Sequence, residues 1–354
     1  MDLNTLRQQV AEQRQQGRRQ RDIAATLGVT EAHLIDAHTG APQDALLQAR
    51  RLDSDWPAIF SQLATLGQVM ALTRNEDCVH EKTGVYRPFS HGERIGLVLD
   101  EAIDLRIFFE HWAYGYRVSD LHGSSAQHSL QFYDHHGRAI HKIYLRPDSD
   151  QAAWQALCQR FEVAAPAPLG TLPPAPPPEA ESPDSAIDVQ GLHQGWADLR
   201  DTHDFFALLK QYGVSRRQGL RLAEARFARP LEPTAISLLL REAALRAVPI
   251  MVFTGNPGMI QIHTGPVQHI VEQGPWINVM DEGFNLHLRQ DRVAEAWLVK
   301  KPTRDGLVCS LELFDAAGET IAMLFGARKP GLPERSDWRA LLDWLQDEAT
   351  ACTV

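Results

Sequence analysis

Cysteine is scarce in this chain: Cys78, Cys158, Cys309 and Cys352 are the only four, and no two form a CxxC pair. Thiols so few and so scattered make neither a disulfide framework nor a thiolate zinc site, and they fit reduced side chains in a cytoplasm. No apolar run approaches the roughly 18 to 20 residues of a membrane-spanning helix, so no membrane insertion is expected. The opening stretch, MDLNTLRQQVAEQRQQGRRQR, lacks the apolar core of a secretion signal. Basic charge is not in excess either. Thirty-five Lys and Arg against 45 Asp and Glu give a formal charge of −10, which argues against a surface devoted to nucleic acid as a whole. GxGxxG, P-loop, HExxH and Ser–His–Asp elbow motifs are all missing, so dinucleotide binding, NTP hydrolysis and the common hydrolase chemistries have no support.

What is present is an ordinary globular composition, 44% hydrophobic and 23% charged over 354 residues, enough for about two domains. Proline supplies the punctuation. Residues 164–186, AAPAPLGTLPPAPPPEAESPDSA, cannot join a helix or a sheet interior, because proline fixes φ and offers no N–H. An extended, semi-rigid, solvated connector is expected there, between domains at 1–163 and 187–354.

The two sides of that connector resemble each other. Ser129–Ile140, SLQFYDHHGRAI, aligns without a gap to Ser310–Ile321, SLELFDAAGETI, as strand, turn and strand. At the same offset Thr73 and Asn75 meet Thr254 and Asn256, Thr83-Gly84 meets Thr264-Gly265, and Leu105 and Val118 meet Leu286 and Val299. Such a constant offset reads as an internal duplication. Helical patterns lead each half, at 3–16, 19–37 and 43–65 and then at 201–225 and 235–247. Alternating strands come next, at 67–73, 93–99, 103–118 and 128–145, then at 248–254, 275–300 and 307–326. A Trp-bearing helix closes each half, DQAAWQALCQRF and SDWRALLDWLQDEA. Helices grouped apart from a strand meander, without βαβ alternation, predict an α+β fold in which each half carries a helical segment and a large antiparallel sheet.

Chemical candidates are few. RQRDIAATLGVTEAHLIDA resembles a helix-turn-helix preceded by Arg18, Arg19 and Arg21, but its second helix, EAHLIDA, is acidic and poor in base-reading side chains. A structural hairpin is the simpler reading, with DNA binding as the alternative. His135-His136 fall in a hairpin turn and His111, His128 and His141 in strands, so no multi-histidine metal cage emerges. His203 stands apart. In WADLRDTHDFFALLKQYGV a helix is expected to start at Asp201 or Thr202, which places His203 in its first turn beside Phe205 and Phe206. A helix N-terminus disfavours added positive charge and so favours the neutral, metal-binding form of imidazole. A packed or capping histidine is the competing expectation.

DTHDFFALLKQYGVSRRQGLRL, PIMVFTGNPGMIQIHTGPV, FNLHLRQDRVAEAWLVKKPT and DGLVCSLELFDAAGETIAMLFGARKPG together resemble the HemS-type haem-utilisation proteins of Gram-negative bacteria, and AIDLRIFFEHWAYGYRV extends the likeness into the first half. The resemblance implies a cytoplasmic, haem-binding protein of iron acquisition with iron protoporphyrin IX (haem b) held in a cleft between homologous halves. It implies His203 as the proximal iron ligand and Arg106 on the opposite haem face as the residue serving catalysis, with Phe108 packing nearby. Arg216, Lys301 and Arg328 correspond to cations near the propionates. Some members carry a tyrosine where this chain has Phe325, so a hydroxyl donor is expected to be missing there. Lys301, Arg328 and Arg106 fall opposite Asp120, Pro147 and His287 in the repeat, so one haem per chain is expected. The family implies delivery of haem to an oxygenase, or oxidative opening of the macrocycle with an external electron donor. DNA-binding regulation through residues 17–37 is the reading from another class.

Overall fold

The computed structural model describes residues 2–42, 45–122, 125–177, 180–329 and 331–351. Cys352, Pro178 and Glu179 of the connector, and Gln43 and Asp44 of the expected helix at 43–65 lie outside the described residues. The first half runs α1 (Leu3–Gln15), α2 (Gln20–Leu27), α3 (Glu31–Asp36), β1 (Leu47–Arg51), α4 (Trp56–Gln62), β2 (Val69–Arg74), β3 (Cys78–Gly84) and β4 (Phe89–His91). It continues through β5 (Ile95–Leu99), β6 (Asp104–Phe108), β7 (Trp112–His122), β8 (Ser125–Asp134) and β9 (Ala139–Leu145) to α5 (Gln151–Phe161). The second half runs α6 (Val189–Ala197), α7 (Asp204–Tyr212), α8 (Arg216–Leu222), β10 (Ala228–Leu231), α9 (Ala235–Leu245), β11 (Ile250–Asn256) and β12 (Met259–Gly265). It ends with β13 (Ile270–Gln273), β14 (Trp276–Asp281), β15 (Phe284–Arg289), β16 (Glu295–Thr303), β17 (Gly306–Phe314), β18 (Thr320–Gly326) and α10 (Ser336–Ala351).

The architecture is α+β and duplicated. Strands β1 to β9 recur in order as β10 to β18, 181 residues later, the offset of Ser129 to Ser310. The strands make two nine-stranded antiparallel sheets. Irregularities repeat as well. The β8–β9 ladder bulges between Phe132 and Tyr133, and the β17–β18 ladder between their counterparts, Leu313 and Phe314. The turns between those strands need a left-handed residue, supplied by Gly137 and Gly318 with φ of 77° and 86°.

Two compact units result. The first holds Met1–Arg74, Glu81–Pro176 and Gly255–Gln261; the second holds Asn75–His80, Pro177–Thr254 and Ile262–Val354. In the first, β1, β7, β8, β9 and β2 lie side by side, and β4, β5 and β6 form a meander. Its core is aromatic: Phe60 meets Trp112 edge-on at 5.5 Å, and Trp112 meets Phe132 at 4.9 Å. In the second, β10, β16, β17, β18 and β11 lie side by side with a meander of β13, β14 and β15. Leu239 and Leu240 of α9 and Trp338 and Leu341 of α10 fill its core, each fully buried.

Each unit thus includes one short segment from the opposite half of the sequence, and an asparagine pins each segment. Asn75 Nδ2 donates to the Ile321 carbonyl at 2.8 Å, while its Oδ1 accepts from the amides of Asp77 and Cys78. Its repeat counterpart Asn256 donates to the Ile140 carbonyl at 2.9 Å and to the Arg74 carbonyl, and accepts from the Gly258 amide. Ile140 and Ile321 are themselves counterparts, so one hydrogen-bonding solution is used twice.

Several sequence expectations are corrected. The helix expected over 43–65 gives way to β1 at Leu47–Arg51, because Leu47 and Ala49 point inward on a period of two and the segment pairs with β7. The helical stretches at 19–37 and 201–225 are hairpins, each turning at a left-handed glycine, Gly28 and Gly213, as the hairpin reading expects. Short turns divide the strands expected at 103–118 and 275–300. The connector is largely exposed along its described residues, as expected, and a few of its groups are held by side chains. In the first unit His33 Nε2 meets the Gly170 carbonyl at 2.9 Å, His136 Nδ1 meets the Pro173 carbonyl at 3.0 Å, and Asp36 accepts from the Leu169 amide. In the second unit Glu181 and Asp184 pair with Arg221.

Removing the asparagine amide at either pinned segment leaves backbone groups without their partner. Asn75→Ala and Asn256→Ala are each expected to cost roughly 1–3 kcal/mol in chemical denaturation. Equal stability of either variant and the parent contradicts the pinning role.

Candidate functional site

Helix α7 starts three residues later than Asp201, and His203 occupies its N-cap position without making a side-chain cap. The inward face anchors the helix: Phe205, Leu208 and Leu209 are buried, and Trp196 of α6 packs edge-on against Phe205 at 4.5 Å. His203 and Phe206 face the other way, with the imidazole side chain 92% exposed and Phe206 73% exposed. The histidine is therefore neither packed nor capping. Its Nδ1 lies 2.6 Å from Asp201 Oδ1, which also accepts the His203 backbone N–H at 2.9 Å. That backbone bond, then the ring, holds the Asp201 carboxyl below the usual carboxylate range, and the charge of Arg328 adds to the effect.

Beneath α7 lies a buried charge cluster centred on Glu312 of β17, which is fully inaccessible. Arg216, the first residue of α8, grips it with a two-pronged bond, Nε to Oε2 at 2.6 Å and Nη2 to Oε1 at 2.9 Å. Lys301 Nζ of β16 donates to Oε1 at 2.7 Å and Ser310 Oγ at 2.9 Å. Burial pushes the Glu312 carboxyl up, but the charges and hydrogen bonds of Arg216 and Lys301 outweigh it and hold the group far below the carboxylate range. Burial, helped by the neighbouring Arg216, lowers Lys301 to about 8 against the pull of Glu312. Both cations also sit over the Phe205 ring, Lys301 Nζ at 4.7 Å and Arg216 Cζ at 5.1 Å from its centroid. The cluster therefore fastens the first turn of α7, two residues from His203.

The remaining candidates from the sequence take varied positions. Lys301 is buried and committed to Glu312, whereas Arg216 keeps a quarter of its side chain exposed. Arg328, just past β18, faces Asp305 at 3.8 Å. Phe325 offers no hydroxyl; it packs against Phe253 at 5.0 Å with Lys301 Nζ 5.8 Å from its centroid. In the first unit Arg106 of β6 is one-third exposed and pairs with Asp104 and the Leu105 carbonyl. Phe108 closes the same strand, its amide bonded to the Gly258 carbonyl at 3.0 Å. Desolvation drives His141 down to about 3; it is neutral in a buried chain with Thr73 and Tyr86. Burial raises the thiols of Cys78, Cys158 and Cys309 to about 12, so they stay protonated at neutral pH. Among the described residues no cluster of three His, Cys, Asp or Glu side chains is arranged to hold a metal ion by itself.

The helix-turn-helix-like stretch is a packed hairpin. Ala32, Leu34 and Ile35 of α3 are buried, and Glu31 is paired with Lys142 at 2.8 Å. A six-residue helix committed in this way has no side-chain row left to enter a DNA groove.

Sequence reasoning misses Glu312. Its signal is a carboxylate between two leucines in SLELF, at an inward strand position. Asp201 reads in the sequence only as a possible cap, because the ring contact depends on a turn that spacing does not encode.

Residues 28–161 and 213–345 each match the haemin-degrading HemS.ChuX domain, a span that includes Arg106, Phe108, Arg216, Lys301 and Arg328 and leaves His203 between the two matches. The hemin transport protein HmuS of Yersinia pestis is 37% identical over 327 residues, 91% of each chain. Among solved structures, the holo form of PhuS, a heme-binding protein from Pseudomonas aeruginosa, shares 43% identity and a TM-score of 0.91 over 96% of this chain and 98% of that one. The heme-degrading enzyme ChuS of Escherichia coli O157:H7 shares 33% identity and a TM-score of 0.87 over 97% and 99%.

Glu312→Gln removes the charge that buried Lys301 and partly buried Arg216 require, and it is expected to cost about 3–5 kcal/mol at neutral pH. Because the folded carboxyl titrates below its unfolded value near 4.3, the pair's contribution is complete above that pH and lost as pH falls below it. Denaturation measured from pH 7 to 3 should show a shallower acid loss in the variant; parallel curves contradict the charge cluster's role.

Proposed function

This chain belongs to the haemin-degrading HemS.ChuX family, and from that premise we propose that it binds haem and handles it for iron acquisition, with His203 as the axial ligand to iron. The observation that carries the reading is the presentation of His203. An imidazole placed at the mouth of a well-anchored helix, 92% exposed beside an exposed phenylalanine, contributes nothing to the core and is open to a ligand. A porphyrin is a wide apolar plate with a metal at its centre and two carboxylates at its rim. Phe206 offers apolar cover and His203 Nε2 a lone pair. At the rim, Arg216 has Nε and Nη2 bound to Glu312, which leaves the Nη1 end of its planar fork for a second carboxylate. Arg328 is the further cation for that role, and Lys301, too buried to reach solvent, supports Arg216 through their shared partner.

Arg106 is proposed as the group that meets the haem face away from His203, with Phe108 beside it. Its guanidinium is partly exposed and held by Asp104, so it keeps donors for water or oxygen near the iron. Haem b is the proposed form of the cargo. Two outcomes for bound haem are consistent with these residues: transfer to an oxygenase, which requires His203 to release iron, and oxidative opening in place, which requires oxygen and an external electron donor. A cytoplasmic location suits either, and among the described residues no helix is long and apolar enough to cross a membrane.

Haem titration of the purified chain tests the binding. His203→Ala is expected to weaken affinity about 10- to 100-fold or to change the Soret and charge-transfer bands. Arg106→Ala should change reactivity toward oxygen more than ferric haem affinity. Incubation of the complex with oxygen, a reductant and catalase separates the two outcomes: loss of the Soret band with stoichiometric iron release marks degradation, and a surviving spectrum marks a carrier. Parent-like spectra and reactivity in both variants overturn the assignment.

A further inference from the structure

We propose that Asp201 is a positioning residue for the iron ligand, fixing both the tautomer and the orientation of the His203 ring. The inference rests on the reading of His203 as that ligand. Asp201 and His203 are joined twice through one oxygen, Oδ1, which accepts the backbone N–H at 2.9 Å and faces ring Nδ1 at 2.6 Å. A carboxylate is an acceptor only, so the contact places a proton on Nδ1. In the neutral ring the lone pair then lies on Nε2, the nitrogen farther from the backbone.

The backbone of this turn is equally constrained. The Asp204 amide bonds to the Asp201 carbonyl at 3.1 Å, the Phe205 amide faces the Thr202 carbonyl at 3.4 Å, and the buried Phe205 ring is held by the Glu312 cluster. Stability does not account for the side-chain contact. With 92% and 60% of the two side chains exposed, an ion pair of this kind contributes about 0–1 kcal/mol at most. Its consequence lies at the other nitrogen. A carboxylate on Nδ1–H raises the donor strength of Nε2 and restrains ring rotation, and such partners of histidine ligands typically change metal affinity 10- to 100-fold.

The test uses the full chain loaded with haem, and reads the iron–histidine stretching frequency of the ferrous complex and the rate of ferric haem loss to excess apomyoglobin. Asp201→Ala should fold with unchanged thermal stability, lower the stretching frequency and release haem about 10- to 100-fold faster. Asp201→Asn retains an oxygen acceptor without the charge, and should lie between the parent and the alanine variant in both readouts. If Asp201→Ala matches the parent in frequency and release while His203→Ala changes them, Asp201 serves only the turn and the proposal fails. If His203→Ala also matches the parent, the iron-ligand reading fails with it.

Discussion

A buried carboxylate survives only where donors replace the water it has lost, and Glu312 meets that condition with Arg216, Lys301 and Ser310. The same two cations lie over Phe205, so one cluster joins β16, β17 and α8 to the start of α7. The exposed imidazole at position 203 owes its fixed place to this concealed charge balance. Arg216 is central to the arrangement, because it is clamped on one side and partly exposed on the other. An arginine held in this way has already lost much of its rotamer freedom, and a rim carboxylate that met it would find it pre-organised.

The duplication shows how one scaffold acquired two chemistries. The counterparts of Ser310 and Glu312 are Ser129 and Gln131. In the first unit these two form a neutral buried network, in which Gln131 donates to Ser129 at 3.1 Å and accepts from the Tyr133 hydroxyl at 2.6 Å. The strand, the bulge and the turn are retained, while Gln131 for Glu312, Asp120 for Lys301 and Ile35 for Arg216 separate a neutral network from a charge cluster. The cationic candidates are absent from the matching positions of the first half: Asp120 stands for Lys301 and Pro147 for Arg328. That asymmetry is the sequence basis for expecting one haem per chain.

Much of this is legible in the sequence. The constant offset between SLQFYDHHGRAI and SLELFDAAGETI reveals the duplication, and the separation of helices from strands indicates the α+β class. His203 stands out by its place ahead of two phenylalanines. Less legible are features set by tertiary partners. LQARR reads as helix by composition and becomes β1 because β7 offers it an edge. Helix α7 begins past His203, so the ring is oriented by Asp201 and not by the helix's first turn. Lys301 carries a family expectation of meeting propionate, yet burial and Glu312 take up its charge, which only the packing of side chains reveals.

The axial donor to iron is the point on which the functional account turns. A crystal structure of the ferric haem complex tests it most directly. The account predicts iron bonded to Nε2 of His203, with Nδ1 of the same ring still on Asp201. Iron bonded to any other side chain, with the His203 ring pointing into solvent, contradicts it.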